Sequence, residues 1–289
     1  MRIQLSDHFT YIKLLRFTLP TVLMLVCTSM YSVVDGFFVS NFVGKTSFAA
    51  VNLIFPVSMG VAALGFMLGT GGSAVVAKTI GEGKKELANQ YFSMVIYVGI
   101  ALSMIFSVIC VLFMPRIARM LGAEGTLLQD CIIYGRVLFV AETAFILQNM
   151  FQSFFVAAEK PGLSLKINIA AGLTNVVFDY VFIAAFRWGV AGAALATGMG
   201  QVVGGIVPLI YFARKNDSLL RLTGKVRLYG KVLAKTCGNG SSEMVTNLSS
   251  SLVNILYNFQ LMRLAVTTME QEIMGNLRTY IRKVYSCLL

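Results

Sequence analysis

Apolar residues recur along this chain in long, nearly unbroken stretches, separated by short polar connections. Seven such stretches, at 15–39, 51–77, 91–114, 131–157, 163–186, 189–213 and 237–264, are long enough to cross about 30 Å of hydrocarbon as helices, which takes about 20 residues. A helix that is apolar all round is buried or faces lipid. The pattern therefore predicts an all-α polytopic membrane protein. The seventh stretch stands apart. Its first half, GNGSSEMVTNLSSS, is polar and suits contact with other helices better than contact with lipid.

Composition strengthens this picture. Of 289 residues 57% are apolar and 13% charged, and the mean hydropathy is +0.75; a soluble domain carries about 25% charged residues. The expected partner is the lipid bilayer. The net charge of +11 would suggest nucleic acid in a soluble protein. Here the basic residues lie between the apolar stretches, where they set topology, and no nucleic-acid partner is expected. Cys27, Cys110, Cys131, Cys237 and Cys287 are odd in number and irregularly spaced, which argues against a disulfide framework or a zinc site. His8 is the single histidine, so no histidine-based metal site or triad is expected. The residues point to no cofactor and no catalytic group. The first apolar stretch reads as a retained span rather than a cleaved signal.

The connections alternate in charge. Arg2, Lys13 and Arg16, then Lys78, Lys84 and Lys85, then Lys160 and Lys166, then seven residues from Arg214 to Lys235 form one set of fifteen basic residues. Lys45, Arg116, Arg119, Arg136 and Arg187 form the other set of five. The asymmetry places the N-terminus in the cytoplasm of a multi-pass plasma-membrane protein, with the first six spans as three out-and-back pairs. The chain divides into six spans over 1–213, a basic cytoplasmic linker at 214–236, the seventh span at 237–264 and a polar tail at 265–289. The linker reads either as an amphipathic stretch along anionic headgroups or as a solvated connection. The tail reads as a short amphipathic helix or as sequence foreign to the fold. YSVVDGFFVSNF (31–42) has a faint echo in SSLVNILYNFQL (250–261), which sets Asn254 opposite Asp35.

Four acids fall inside the candidate spans: Asp35, Glu142, Asp179 and Glu243. A charge at the bilayer centre costs about 2.5–3.5 kcal/mol on insertion scales, so such a group faces a bundle interior or a wet cavity. A carboxylate held there can load and release a proton. Tyr31 lies one helical turn before Asp35, and Asn175 one turn before Asp179, so each pair shares a helix face. The same groups could bind Na⁺ through amide and hydroxyl oxygens. Glu142 and Glu243 are secondary candidates without such partners. Pro20 permits a bend in the first span. The run GTGGSA (69–74) and the pair Gly200 and Gly204 read as close helix packing.

These residues resemble the MATE (multidrug and toxic compound extrusion) family, especially its branch in Gram-positive bacteria. The resemblance rests on LPTVLMLVCTSMYSVVDGFFVSNFVG (19–44), GGSAVVAKTIGEGKKELAN (71–89), LQNMFQSFFVAAEKPGLSL (147–165), NVVFDYVFI (175–183) and GVAGAALATGMGQ (189–201). It implies the six-helix N-terminal lobe of a two-lobed transporter, followed by a seventh helix that opens the second lobe and a short divergent tail. It further implies export of drugs or organic cations in exchange for H⁺ or Na⁺. The coupling residues it implies are Asp35, Tyr31, Tyr134, Asn149, Asn175, Asp179 and Thr197, with Pro20 as the helix-bending proline. A Na⁺ ion would sit at Asp35, Asn175, Asp179 and Thr197. The resemblance runs from about residue 10 to 265, whereas the family needs about twice the helices. The chain therefore reads as truncated after its seventh helix, with a C-lobe missing. The competing readings are a non-transporting truncated membrane protein and a lipid-linked precursor flippase of the same superfamily. An intramembrane aspartyl protease would need a GxGD motif that neither VVDG (33–36) nor NVVFD (175–179) supplies.

Overall fold

A computed structural model describes residues 11–224 and 227–288. Some side chains lie outside the described residues, among them Tyr31 and all of 265–288, as do His8 and Arg2 entirely. Seven helices follow one another: α1 Tyr11–Phe38, α2 Lys45–Gly81, α3 Lys85–Met120, α4 Gly125–Ala157, α5 Pro161–Asp179, α6 Gly189–Ala213 and α7 Gly230–Leu288. No strand occurs among the described residues. The chain is an all-α multi-pass membrane protein. Lys45–Gly81, Lys85–Met120, Pro161–Ala185 and Gly189–Ala213 are each long and apolar enough to cross a membrane. Most helices overrun their apolar stretches, because helical hydrogen bonding continues past the hydrocarbon into polar ends.

Tight turns join the helices. Gly83 (φ 78°) turns α2 into α3 and Gly122 (φ 86°) turns α3 into α4. Both stand in the left-handed region, which glycine enters without a Cβ penalty. Pro161 starts α5 at its first turn, where a missing N–H costs nothing.

Helices α2 and α4 form the centre. Helix α3 packs against both, α6 against α4, α5 against α6, α1 against α5 and α7 against α2. Small residues set these distances. A Cβ on Gly65 of α2 would stand 2.8 Å from the carbonyl oxygen of Ile146 on α4, and one on Gly69 2.9 Å from the Met150 Cα. Gly71 meets the Thr236 carbonyl of α7, and Gly240 of α7 meets the Met67 carbonyl of α2, so these two backbones touch directly. Gly200 abuts α5 at Ala171 and Asn175, and Gly204 abuts Gln148 of α4. The glycine-rich run and the Gly200/Gly204 pair are thus packing devices within one chain.

The core lies in two parts. At the end bearing Lys84 and Lys85, Phe92, Phe151, Phe154, Phe155 and Phe212 form an aromatic cluster with ring centroids 4.8–6.5 Å apart. Nearer the other end, Ile54, Met114, Leu138 and Phe139 surround Tyr134. Helices α1 and α5 both pass into wider π-helical turns at that other end, Val39–Val43 and Tyr180–Ala185, and the two turns touch.

The described part of the segment after α6 is mostly exposed but anchored at several points. Leu220 is fully buried in the aromatic cluster. The Arg221 N–H donates to Asn89 Oδ1 (2.9 Å), the Thr223 N–H to Ser93 Oγ (2.8 Å) and the Leu222 N–H to the Phe212 carbonyl (2.8 Å). The Tyr229 hydroxyl donates to Gln90 Oε1 (2.7 Å). Asn89, Gln90 and Ser93 supply polar groups that a solvated loop would take from water. The segment is therefore strapped to α3. Helix α7 then begins at Gly230 rather than 237, and its backbone stays helical through the segment read as a tail. The tail's side chains lie outside the described residues.

Replacing Gly71 by alanine is expected to destabilise the chain by about 1–3 kcal/mol, since the methyl overlaps backbone across the α2–α7 contact. Gly238→Ala meets nothing within 4 Å and should stabilise by about 0.5–1 kcal/mol through helix propensity. Thermal unfolding of both variants in detergent micelles checks the opposite signs.

Candidate cation site

The parallel packing of α1 alongside α5 brings Asp35 beside Asp179 and Asn175. Asp35 lies one turn before α1 widens, and Asp179 is the last residue of α5 before it widens. A π-helical turn holds an extra residue and recurs at functional sites. Here the two such turns touch, and each follows an aspartate within one helical turn.

The three side chains are close enough to interact directly, yet they form no well-shaped hydrogen bond. Oδ1 of Asp35, Oδ1 of Asn175 and both carboxyl oxygens of Asp179 are buried and meet no donor among the described residues. Asp179 is fully buried and Asn175 nearly so. Four acceptor oxygens thus lie close together without a donor. Two carboxylates side by side repel, and either a proton shared between them or a cation among them relieves the repulsion.

Asp35 and Asn175 also line a cavity of about 520 Å³. Tyr134 of α4 and Thr197 of α6 share its wall and lie against each other. The Thr197 hydroxyl donates to the Ala193 carbonyl at 3.0 Å, which leaves its oxygen lone pairs free to accept. Phe37, Phe48, Phe55 and Phe145 form apolar wall, and Asn52, Gln148 and Gln201 add amides. No lysine or arginine is among the described lining residues. Aromatic faces with a carboxylate and amides suit a positively charged organic guest.

Of the residues singled out by sequence, Asp35, Asn175, Asp179, Tyr134 and Thr197 therefore come together. Asn149 does not line the cavity. Its amide donates to the Phe145 carbonyl of its own helix (2.9 Å), on a side of α4 that meets α2 at Gly69. Its neighbour Gln148 lines the cavity instead, and donates to Asn168 Oδ1 of α5 (3.1 Å). Glu142 is fully buried outside the cavity and accepts a hydrogen bond from Ser58 of α2 at 2.7 Å. Glu243 is exposed on α7, away from the pair. Pro20 lies inside α1 without ending it. The Tyr31 side chain lies outside the described residues. Sequence reasoning missed Asn52, Gln148 and Gln201. Gln201 was legible, because it stands one turn after Thr197 on the same face. Nothing in the sequence pointed to Asn52, and only the rotation of α4 separates Gln148 from Asn149.

The MatE family profile matches residues 20–181. A multidrug export protein MepA from Staphylococcus saprophyticus is 24% identical over 245 residues, 85% of this chain and 54% of that protein. A solved inward-facing structure of a multidrug resistance MATE family transporter of the MOP superfamily is 27% identical, with a TM-score of 0.75 over 80% of this chain and 52% of that one. A solved outward-facing structure of such a transporter is 26% identical, with a TM-score of 0.77 over 82% of this chain and 53% of that one. This chain spans about half the length of the relatives it matches, and it fits the corresponding half about equally well in both states. Helix order, the packing of the six-helix lobe and the profile match together place this chain in the MatE family.

Proposed function

We propose that this chain is the ion-coupling half of an exporter of drugs or organic cations, driven by exchange for H⁺ or Na⁺ across the plasma membrane. The observation that supports this most directly is the set of four unpartnered oxygens of Asp35, Asn175 and Asp179, beside a cavity whose wall includes Asp35 and Asn175 and no basic residue among the described ones. The relatives named above are exporters by name, and this chain is not an enzyme.

Either coupling ion fits these residues. A proton would bridge the two aspartates. Na⁺ is a hard cation that takes oxygen ligands, and Asp35, Asn175 and Asp179 with the Thr197 hydroxyl offer them from three helices. The coupling follows from competition. An organic cation in the cavity and an ion at the aspartates neutralise the same negative charge, so each weakens the other's binding, and by linkage the effect is reciprocal. Loading the ion would release the guest on the outer side and reset the lobe. Alternating access of this kind needs a second unit to rock against, so a second lobe is the partner this half requires. With the basic end in the cytoplasm, the aspartate pair lies in the outer half of the bilayer.

The flippase alternative calls for a basic cavity, and the lining here argues against it.

Binding of a fluorescent organic cation such as ethidium to the chain in lipid nanodiscs should fall at least about tenfold on Asp35→Asn or Asp179→Asn, about 1.4 kcal/mol; unchanged affinity in both variants sinks the site. Bound dye should also be displaced by acid or by Na⁺ in the unaltered chain, and whichever ion fails to displace it is not the coupling ion. In a full-length relative, the substitution equivalent to Asp179→Asn is expected to abolish ion-coupled efflux from reconstituted vesicles.

A further inference from the structure

We infer that Glu142 is a second proton-binding carboxyl of the lobe, built into the joint between α2 and α4 and separate from the aspartate pair. This inference stands apart from the export reading. Glu142 sits in the middle of α4 with none of its surface exposed. It is not among the cavity-lining residues. Its one donor is the Ser58 hydroxyl of α2, itself fully buried, at 2.7 Å from Oε2. Its other oxygen, Oε1, meets no donor among the described residues. The titratable groups that face it are Cys110 of α3 and Tyr134 of α4, neither of which carries positive charge. No lysine, arginine or histidine pairs with it among the described residues, where the ion pair found is Lys84–Glu82 at the surface.

A carboxylate with one hydroxyl donor and no counter-charge is poorly matched to a dry interior. The carboxylic acid matches it better. Its O–H donates to Ser58 Oγ, and the serine hydroxyl turns to a helix carbonyl, as serines in helices do. The proton thus makes Glu142 and Ser58 a neutral hydrogen-bonded link between the two central helices. Losing the proton would leave an uncompensated charge at the joint, so proton release requires α2 and α4 to part or water to enter. Because α7 rides on α2 through the Gly71 and Gly240 contacts, the proton on Glu142 is coupled to the position of α7, the helix that leaves the lobe.

Infrared spectroscopy of the whole chain in lipid nanodiscs tests this. At neutral pH the carbonyl stretch of a protonated carboxyl should persist in the Asp35→Asn/Asp179→Asn variant, and should vanish when Glu142→Gln is added. Its shift in D₂O should be slow, since exchange awaits opening of the joint. The difference spectrum between the unaltered chain and E142Q alone reads the same band with both aspartates in place. E142Q preserves shape and the Ser58 partner, and its helical circular dichroism should match the parent. Absence of the band in the double variant, or its survival in E142Q, overturns the inference. Neither result bears on dye binding at Asp35 and Asp179, so the two readings fail separately.

Discussion

A charge cannot be left facing hydrocarbon, and this lobe is organised around that constraint. A carboxylate at bilayer depth costs about 2.5–3.5 kcal/mol even on lenient scales. Asp35, Glu142 and Asp179 are accordingly all turned inward, two of them fully buried. Turning one carboxyl inward only moves the problem, because the interior must then supply its partner. Asp35 and Asp179 lie beside each other and near Asn175, with acceptor capacity left open. For Glu142 it is one serine. A lobe built for stability alone would have met these groups with lysine, arginine or more hydroxyls, since buried polar atoms are normally satisfied. Here several carboxyl and amide oxygens are left without a donor instead.

That arrangement depends on how close the helices come. Lipid gives no hydrophobic drive for apolar helices to associate, so packing and small residues decide the geometry. Gly200 lets α6 lie directly on Asn175, with a would-be Cβ 3.0 Å from the Asn175 Cβ, and this brings Thr197 and Gln201 to the wall shared with Asp35. Gly65 and Gly69 hold α2 on α4, and Gly71 and Gly240 hold α7 on α2. The two π-helical turns do a different job. They widen α1 and α5 just past the aspartates, where the carboxyls must leave a regular helix face to meet.

The connection after α6 shows the same economy of polar groups. Its backbone N–H groups find Asn89, Ser93 and the Phe212 carbonyl, and Leu220 completes an aromatic cluster that closes the basic end. A closed basic end and a cavity beside the aspartates toward the other end give the lobe a polarity along the membrane normal. That polarity follows from contacts within the lobe.

Much of this was legible before any coordinates. The apolar stretches named the helices, and α6 matches its stretch residue for residue, because about 20 apolar residues in lipid have no alternative to a helix. Asp35 and Asp179 stood out because an ionisable group in such a stretch has no bland place to go, Asn175 stood out by its spacing one turn before Asp179, and Tyr134 and Thr197 followed from the family resemblance. Folding in three dimensions decided the rest. Helix rotation placed Gln148 on the cavity rather than Asn149, a choice of about 100° around α4 that apolar surroundings on all sides leave open in the sequence. Contact with α3 turned a basic linker into a strap, since Asn89, Gln90 and Ser93 gain their meaning only when a distant backbone reaches them. The split of the acids into a pair at a cavity and a lone joint at Ser58 also came from packing, because sequence spacing relates residues on one helix and is silent about which helix lies opposite.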